Sequence, residues 1–142
     1  MAKSFRCQIV TPAEEVFDGE VNYVDLPAWD GQMGVMAARS AMLVELGCGP
    51  LRIETPDGSK RTYVLRDGFA QMDNDRLTLL TESAEPAESI DVAEAERALA
   101  SIRADLATSP DGRPRSAEAI AGLAKRQQLE LQRIAAGRSS GR

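Results

Sequence analysis

The sequence has no histidine, only two cysteines and few aromatic residues, and these shortages exclude several classes of function. Without histidine the chain cannot use Ser/His or Cys/His nucleophilic catalysis or a histidine-containing metal site. Cys7 and Cys48 show no CxxC spacing, which excludes a zinc ribbon or redox dithiol and predicts buried free thiols. No apolar run is long enough to span a bilayer, and the opening stretch MAKSFRCQIV lacks the apolar core of a signal peptide. We therefore expect a cytosolic protein that does not insert directly into a bilayer.

The net charge of −5 argues against a nucleic-acid surface, and this charge is unevenly distributed. Residues 1–89 carry 8 basic and 15 acidic side chains. Residues 90–142 carry 9 basic and 7 acidic side chains. An acidic N-terminal part therefore precedes a mildly basic C-terminal part.

Short alternating apolar runs, separated by turn residues at near-regular spacing, make up residues 1–83. This pattern predicts an antiparallel β-sandwich domain. Two predicted hairpins turn at 56–59 and 73–75. Gly47 to Pro50 is interpreted as a corner between two strands, and Asp67–Gly68 as the turn into the next strand.

The composition changes after Thr81, where Ala, Glu, Arg and Leu replace β-branched and aromatic residues. We expect a connector at 84–90 and an antiparallel two-helix hairpin at 91–142, with helices at about 91–107 and 116–136 and a short polar tail. The predicted fold class is α+β. The apolar stripes of the two helices are narrow, so burying them yields roughly a few kcal/mol at ~25 cal/mol per Å². Such a hairpin must dock on the sandwich or on a partner.

No constellation of catalytic or metal-binding residues is evident. Gly47-Cys48-Gly49 lacks the third glycine and the following helix of a dinucleotide loop. The paired carboxylates lie at turns, where solvation explains them. We therefore expect no enzyme activity, no metal and no cofactor.

Several segments follow one another in a distinctive order and spacing. These are Ile9-Val10-Thr11-Pro12, Val16-Phe17, Gly19, Leu26-Pro27, Gly31, Gly34-Val35, Leu43, Gly49, Leu51-Arg52-Ile53, Gly68-Phe69, Leu77-Thr78-Leu79-Leu80, Ala84-Glu85 and Ile90-Asp91. In this order and spacing the chain resembles the epsilon subunit of bacterial F-type ATP synthases over nearly its whole length.

The resemblance implies a central-stalk subunit of a proton-translocating ATP synthase, peripheral on the cytoplasmic face of the cell inner membrane. Its sandwich would bind the gamma subunit and the c subunits of the rotor ring. Its helices would lie folded or extend to the alpha/beta catalytic head and inhibit ATP hydrolysis. The basic residues that suit that contact are Lys125, Arg126, Arg133 and Arg138. The sequence leaves open whether this arm is folded or extended.

The loop expected to meet the rotor ring departs from the family pattern. Where the family usually has proline, glycine, histidine, a small residue and proline, this chain has 37–41 as Ala-Ala-Arg-Ser-Ala. The expected ring interface consists of Gln32, Met33, Arg39 and Met42. Arg39 replaces a titratable imidazole with a permanent charge, so this position should confer no pH sensitivity.

Some family members bind ATP on the folded hairpin through an Ile/Leu-Asp-x-x-Arg-Ala motif. Ile90, Asp91 and Ala95 match that motif, but Glu94 replaces its arginine. A carboxylate facing a triphosphate is repulsive, so we expect no ATP sensing. Two other classes remain as alternatives: a free-standing adaptor or chaperone-like binding protein, and a nucleotide-sensing regulatory module.

Overall fold

The computed structural model describes residues 3–108 and 112–139. Seven strands precede two helices, which confirms the predicted fold class. The strands are β1 Phe5–Val10, β2 Glu15–Val21, β3 Tyr23–Ala28, β4 Gly31–Val35, β5 Met42–Glu54, β6 Lys60–Asp73 and β7 Arg76–Pro86. The helices are α1 Val92–Ala107 and α2 Ala117–Ser139.

All seven strands form one hydrogen-bonded sheet in the order β2-β1-β7-β6-β5-β3-β4. Neighbouring strands pair antiparallel except for β1 and β7, which run parallel. The pairings of β6 with β5 and with β7 both skip Asp67, and this interruption marks a bend shared by the three long strands. The core between the layers is formed by Phe5, Cys7, Ile9, Val21, Val24, Leu26, Ala28, Val35, Leu46, Leu51, Ile53, Tyr63, Leu65, Ala70, Met72, Leu77 and Leu79.

The bend depends on backbone conformations that few residues adopt. In β6, Asp67 has φ +55° and Gly68 has φ +123°. A Cβ on Gly68 would overlap with the carbonyl oxygen of Leu80 on β7. The buried Thr81 hydroxyl, 2.7 Å from the Asp67 carbonyl oxygen and 3.2 Å from that of Arg66, donates into the same bend.

Two sequence interpretations are wrong at this bend. Asp67–Gly68 is not a turn between strands, since β6 runs from Lys60 to Asp73. Gly47 to Pro50 likewise lies inside β5 and does not separate two strands. In β5 and in β6, the alternation of buried and exposed side chains shifts by one residue at the bend. Residues typical of turns occupy the same positions. The sequence of one bent strand therefore resembles that of two strands joined by a turn.

The helical hairpin begins at an N-cap, where the Asp91 side chain accepts a hydrogen bond from the Glu94 amide at 3.1 Å. β7 continues to Pro86 and a short 3-10 turn follows at Ala87–Ser89, so the strand extends into the expected connector. α2 continues to Ser139, three residues past the expected end at about 136, and the rest of the expected polar tail, 140–142, lies outside the described residues.

The hairpin is folded against the sandwich. Val64, which faces out of the sheet, packs with Ile90 and Ala136. Between the helices, Ala95 and Leu99 pack with Ile134. Gly137 allows the close approach, because a Cβ there would lie 2.6 Å from a methyl group of Val92. The arm therefore docks through a small contact outside the sandwich core.

We predict that Gly68→Ala lowers the free energy of unfolding by about 3 kcal/mol or more, because it adds both backbone strain and overlap with β7. Urea unfolding at equilibrium measures this loss. The control is Gly58→Ala, at φ +87° with no heavy atom near its Cβ. Strain alone should cost that variant about 1 kcal/mol. Equal losses in the two variants would contradict a special role for the bend.

Candidate functional site

The structure separates the four residues expected at the rotor-ring interface. Arg39 is exposed in the turn after β4, and its Nε lies 3.2 Å from the Sδ of Met42. Met33 and Met42 are half-buried and pack against the core. Gln32 lies on the sheet face, where its amide donates to the Asp25 carboxylate at 3.1 Å and the Pro50 carbonyl at 3.2 Å. The structure thus brings Arg39 and Met42 into contact, whereas Gln32 contacts Asp25 and Pro50.

A patch of exposed apolar residues lies on β5, β6 and β7, on the opposite side of the Asp67–Gly68 bend from Val64. Leu43 is 71% exposed, Phe69 53% and Leu80 54%. Phe69 pairs directly with Leu80 across β6 and β7. We call these three residues the apolar face. Sequence reasoning missed it, although apolar neighbours in sequence, such as Phe69-Ala70 and Leu79-Leu80, indicate strands that are apolar on both sides.

Arg133 of α2 connects the arm to the rest of the fold. Its guanidinium Nε lies 2.8 Å from Glu85 Oε1 of β7, and Nη1 lies 2.7 Å from Glu130 Oε1. Nη2 lies 3.7 Å from Glu94 Oε2 of α1. The Arg133 side chain is only 12% exposed. Hydrogen bonding to Glu85 raises the pKa of Arg133 well above its usual range, against the opposing effect of burial. We call this set the arginine network.

The other three basic residues expected on the inhibitory arm have more exposed surroundings. Lys125 Nζ lies 3.4 Å from Asp67 Oδ2 of β6. Arg138 Nη2 lies 2.8 Å from Glu96 Oε2 of α1. Arg126 is exposed and forms no ion pair within the described part of the chain. Three of the four cations therefore already contact carboxylates of this chain.

The residues of the incomplete ATP motif have structural positions in the arm. Ile90 is buried against α2, Asp91 caps α1 and Ala95 is buried between the helices. Glu94, which stands in place of the family's arginine, points its carboxylate toward Arg133. Glu94 and Arg133 therefore form an ion pair within the arm.

The two thiols differ in their surroundings. Burial raises the pKa of Cys7 to about 12. Desolvation, with Asp67 and Glu130 adding to it, raises the pKa of Cys48 to about 11. Glu130 belongs to α2 and makes the smallest of these contributions, so the docked arm adds only slightly to the raised pKa of the half-buried Cys48 thiol.

Within residues 3–108 and 112–139, no cluster of side chains is suited to hold a metal ion. In the same residues, neither helix combines the length and apolar character of a membrane span. The features that stand out are surfaces for contact: the apolar face, the Arg39 loop and the arm.

The fold is that of a β-sandwich protein with two C-terminal helices docked on the sheet. Comparisons with known proteins identify the family. Residues 4–87 match the model of the ATP synthase delta/epsilon chain β-sandwich domain. The chain belongs to the ATP synthase epsilon subunit family.

Two relatives illustrate the similarity. An ATP synthase epsilon chain of Rhodopirellula baltica is 41% identical over 97 residues, which are 68% of this chain and 75% of the relative. One from Synechococcus sp. WH7803 is 35% identical over 117 residues, covering 82% and 85% of the two chains.

The fold also resembles a chain in a structure of the Euglena gracilis mitochondrial ATP synthase, OSCP/F1/c-ring. That likeness has a TM-score of 0.79 at 24% identity, and it covers 92% of this chain and 79% of the other. A chain from the central stalk and c-ring of the Tetrahymena thermophila enzyme gives a TM-score of 0.61 at 15% identity, with coverages of 93% and 95%. At these identities the likenesses support the fold.

We predict that Arg133→Met speeds alkylation of Cys48 at pH 8 by about tenfold or more. Loss of the guanidinium leaves the Glu85 and Glu130 carboxylates without their partner, a cost of about 1–3 kcal/mol to the docked state. Cys48 lies on the same sheet face as Val64, on which the arm packs, so undocking should expose the thiol and lower its pKa toward that of a free cysteine. Mass spectrometry of the peptide that contains Cys48 measures the rate.

The control is Arg138→Met, since the Arg138–Glu96 pair is exposed by 63% and 50% on its two sides and should contribute little. The same acceleration in both variants, or none in either, would contradict a specific role for Arg133.

Proposed function

We propose that the chain is the non-catalytic central-stalk subunit of a proton-translocating F-type ATP synthase. In this role the sandwich couples the gamma subunit to the c subunits of the rotor ring, and the helical arm inhibits ATP hydrolysis at the alpha/beta head. The observation that carries the proposal is that separate sets of contacts hold the sandwich and the arm. The sandwich core draws all its members from residues 5–84, whereas ion pairs and a small apolar contact hold the arm. An arm attached in this way can leave without unfolding its anchor.

The apolar face is the proposed seat of the gamma subunit. Three large side chains that are more than half exposed on adjacent strands form a patch that water solvates poorly. The arm packs on Val64, which lies on the other side of the Asp67–Gly68 bend from Phe69, so gamma and the folded arm would use different surfaces. Binding gamma there would keep the subunit on the stalk while the arm moves.

The arm is the proposed brake. Lys125, Arg133 and Arg138 contact carboxylates of this chain when the arm is folded. An acidic surface on the head would offer the same cations an alternative set of partners. The free energies of the folded and extended states would then differ only by the small difference between two sets of ion pairs. Salt would weaken the exposed pairs more strongly than the pairs of Arg133.

The proposal includes no nucleotide sensing. In the folded arm, Glu94 presents a carboxylate 3.7 Å from Arg133, where a triphosphate would meet like charge. The proposed localisation follows from the partners: a peripheral subunit on the cytoplasmic face of the inner membrane, attached through gamma and the rotor ring.

We predict that Phe69→Glu weakens binding to purified gamma subunit by about 100-fold, because it places a charge in the middle of an apolar contact. Surface plasmon resonance with immobilised gamma measures the affinity. The matched control is Ile120→Glu on α2, which changes a residue of similar exposure, 47%, away from the apolar face. Equal affinities for the two variants would move the gamma site elsewhere.

We predict that the whole chain slows ATP hydrolysis by a head-and-gamma complex, whereas a chain that ends at Ser89 binds equally well and does not slow it. The shortened chain retains the full sandwich core. Steady-state phosphate release measures the rate, and co-sedimentation confirms binding. Inhibition by the shortened chain would contradict the assignment of the brake to the helices, and failure of both chains to bind would favour an adaptor function.

A further inference from the structure

The turn that carries Arg39 is tied to a different hairpin of the sandwich. The Ala38 amide donates a hydrogen bond to Asp75 Oδ1 at 2.8 Å, across 37 residues of sequence. Asp75 lies in the turn between β6 and β7. Its own backbone is held by β1, since the Arg6 amide donates to the Asp75 carbonyl at 3.0 Å. The residue that accepts the hydrogen bond from the loop is therefore itself held in place by β1.

The hydrogen bond holds a backbone conformation that alanine rarely adopts. Ala38 has φ +65°, in the left-handed region, which costs a residue with a Cβ roughly 1–2 kcal/mol. The neighbouring Ala37 packs against the sandwich core. One side-chain anchor and one hydrogen bond thus fix the loop immediately before Arg39.

The Arg39 guanidinium is left available to a partner. It forms no ion pair with any residue in 3–108 or 112–139, and its one side-chain contact of note is the weak one from Nε to Met42 Sδ. The nearby carboxylate of Asp75 accepts from the backbone of Ala38. The half-buried Met42, which contacts the guanidinium, adds apolar surface beside the charge. A held guanidinium with apolar surface beside it suits a carboxylate, which can accept two parallel hydrogen bonds from it.

We propose that Asp75 is a positioning residue that presents Arg39 to a carboxylate of a rotor-ring subunit. This inference rests on the proposed function, which supplies the ring as the partner. Asp75 acts through its acceptor oxygen and not through its charge. Arg39 supplies the charge that the partner recognises.

The test uses the full-length chain in two measurements. Hydrogen exchange of the Ala38 amide, followed by NMR in the isolated protein, reports the loop. Affinity for purified rotor ring in detergent reports docking. Asp75→Ala should speed Ala38 exchange by about tenfold or more and weaken ring binding by about tenfold, with a thermal midpoint within a few degrees of the unsubstituted chain.

The matched control is Asp75→Asn, whose side-chain oxygen still accepts from the Ala38 amide; both readings should stay within about twofold of the unsubstituted chain. Arg39→Gln should weaken ring binding and remove most of its salt dependence while leaving Ala38 exchange unchanged. Unchanged exchange and affinity in Asp75→Ala would overturn the positioning role. A salt-independent affinity for the unsubstituted chain would overturn the carboxylate partner.

Failure of the unsubstituted chain to bind the ring would refute both the ring contact in the proposed function and the carboxylate assigned to it. Ala38 exchange would still decide whether Asp75 holds the loop, because that measurement needs no partner.

Discussion

The arginine network is the interaction on which the arrangement of this molecule depends. Arg133 joins three parts of the chain: Glu85 at the end of the sandwich, Glu94 on the first helix and Glu130 on its own helix. A guanidinium that is 12% exposed must keep carboxylate partners, since an unpaired charge at that depth is costly. The apolar contact around Val64 is small, so the ion pairs of Arg133 determine whether the arm stays docked on the sheet.

This construction explains how one chain can combine a rigid anchor with a detachable part. The sandwich buries its own core and stabilises its bend with the left-handed Asp67–Gly68 backbone and the Thr81 hydroxyl. Nothing in that core comes from the helices. The charged contacts of the arm, in contrast, are of a kind that another acidic surface can replace. The apolar face lies on the other side of the Asp67–Gly68 bend from Val64, so the proposed anchoring and the movement of the arm would use separate surfaces.

The sequence predicted the features that local chemistry determines. Both hairpin turns and the first helix lie where turn residues and periodicity placed them, and the second helix begins one residue after its expected start. It failed at Asp67–Gly68, because a bend inside a strand uses the same residues as a turn between strands. It also missed the pairing of Arg133 with Glu85 and of Ala38 with Asp75. These contacts join residues 48 and 37 positions apart, and only the topology brings them together.

The central claim is that the arginine network holds the arm on the sandwich, and the most direct test is a distance distribution. Spin labels at Ser59→Cys in the β5–β6 turn and Arg126→Cys on α2 report the separation by pulsed EPR, with Cys7 and Cys48 changed to alanine. We expect one narrow distribution in the otherwise unsubstituted chain and a broad distribution reaching longer distances after Arg133→Met. The same narrow distribution in both would show that the arm is held by other contacts and would contradict the account.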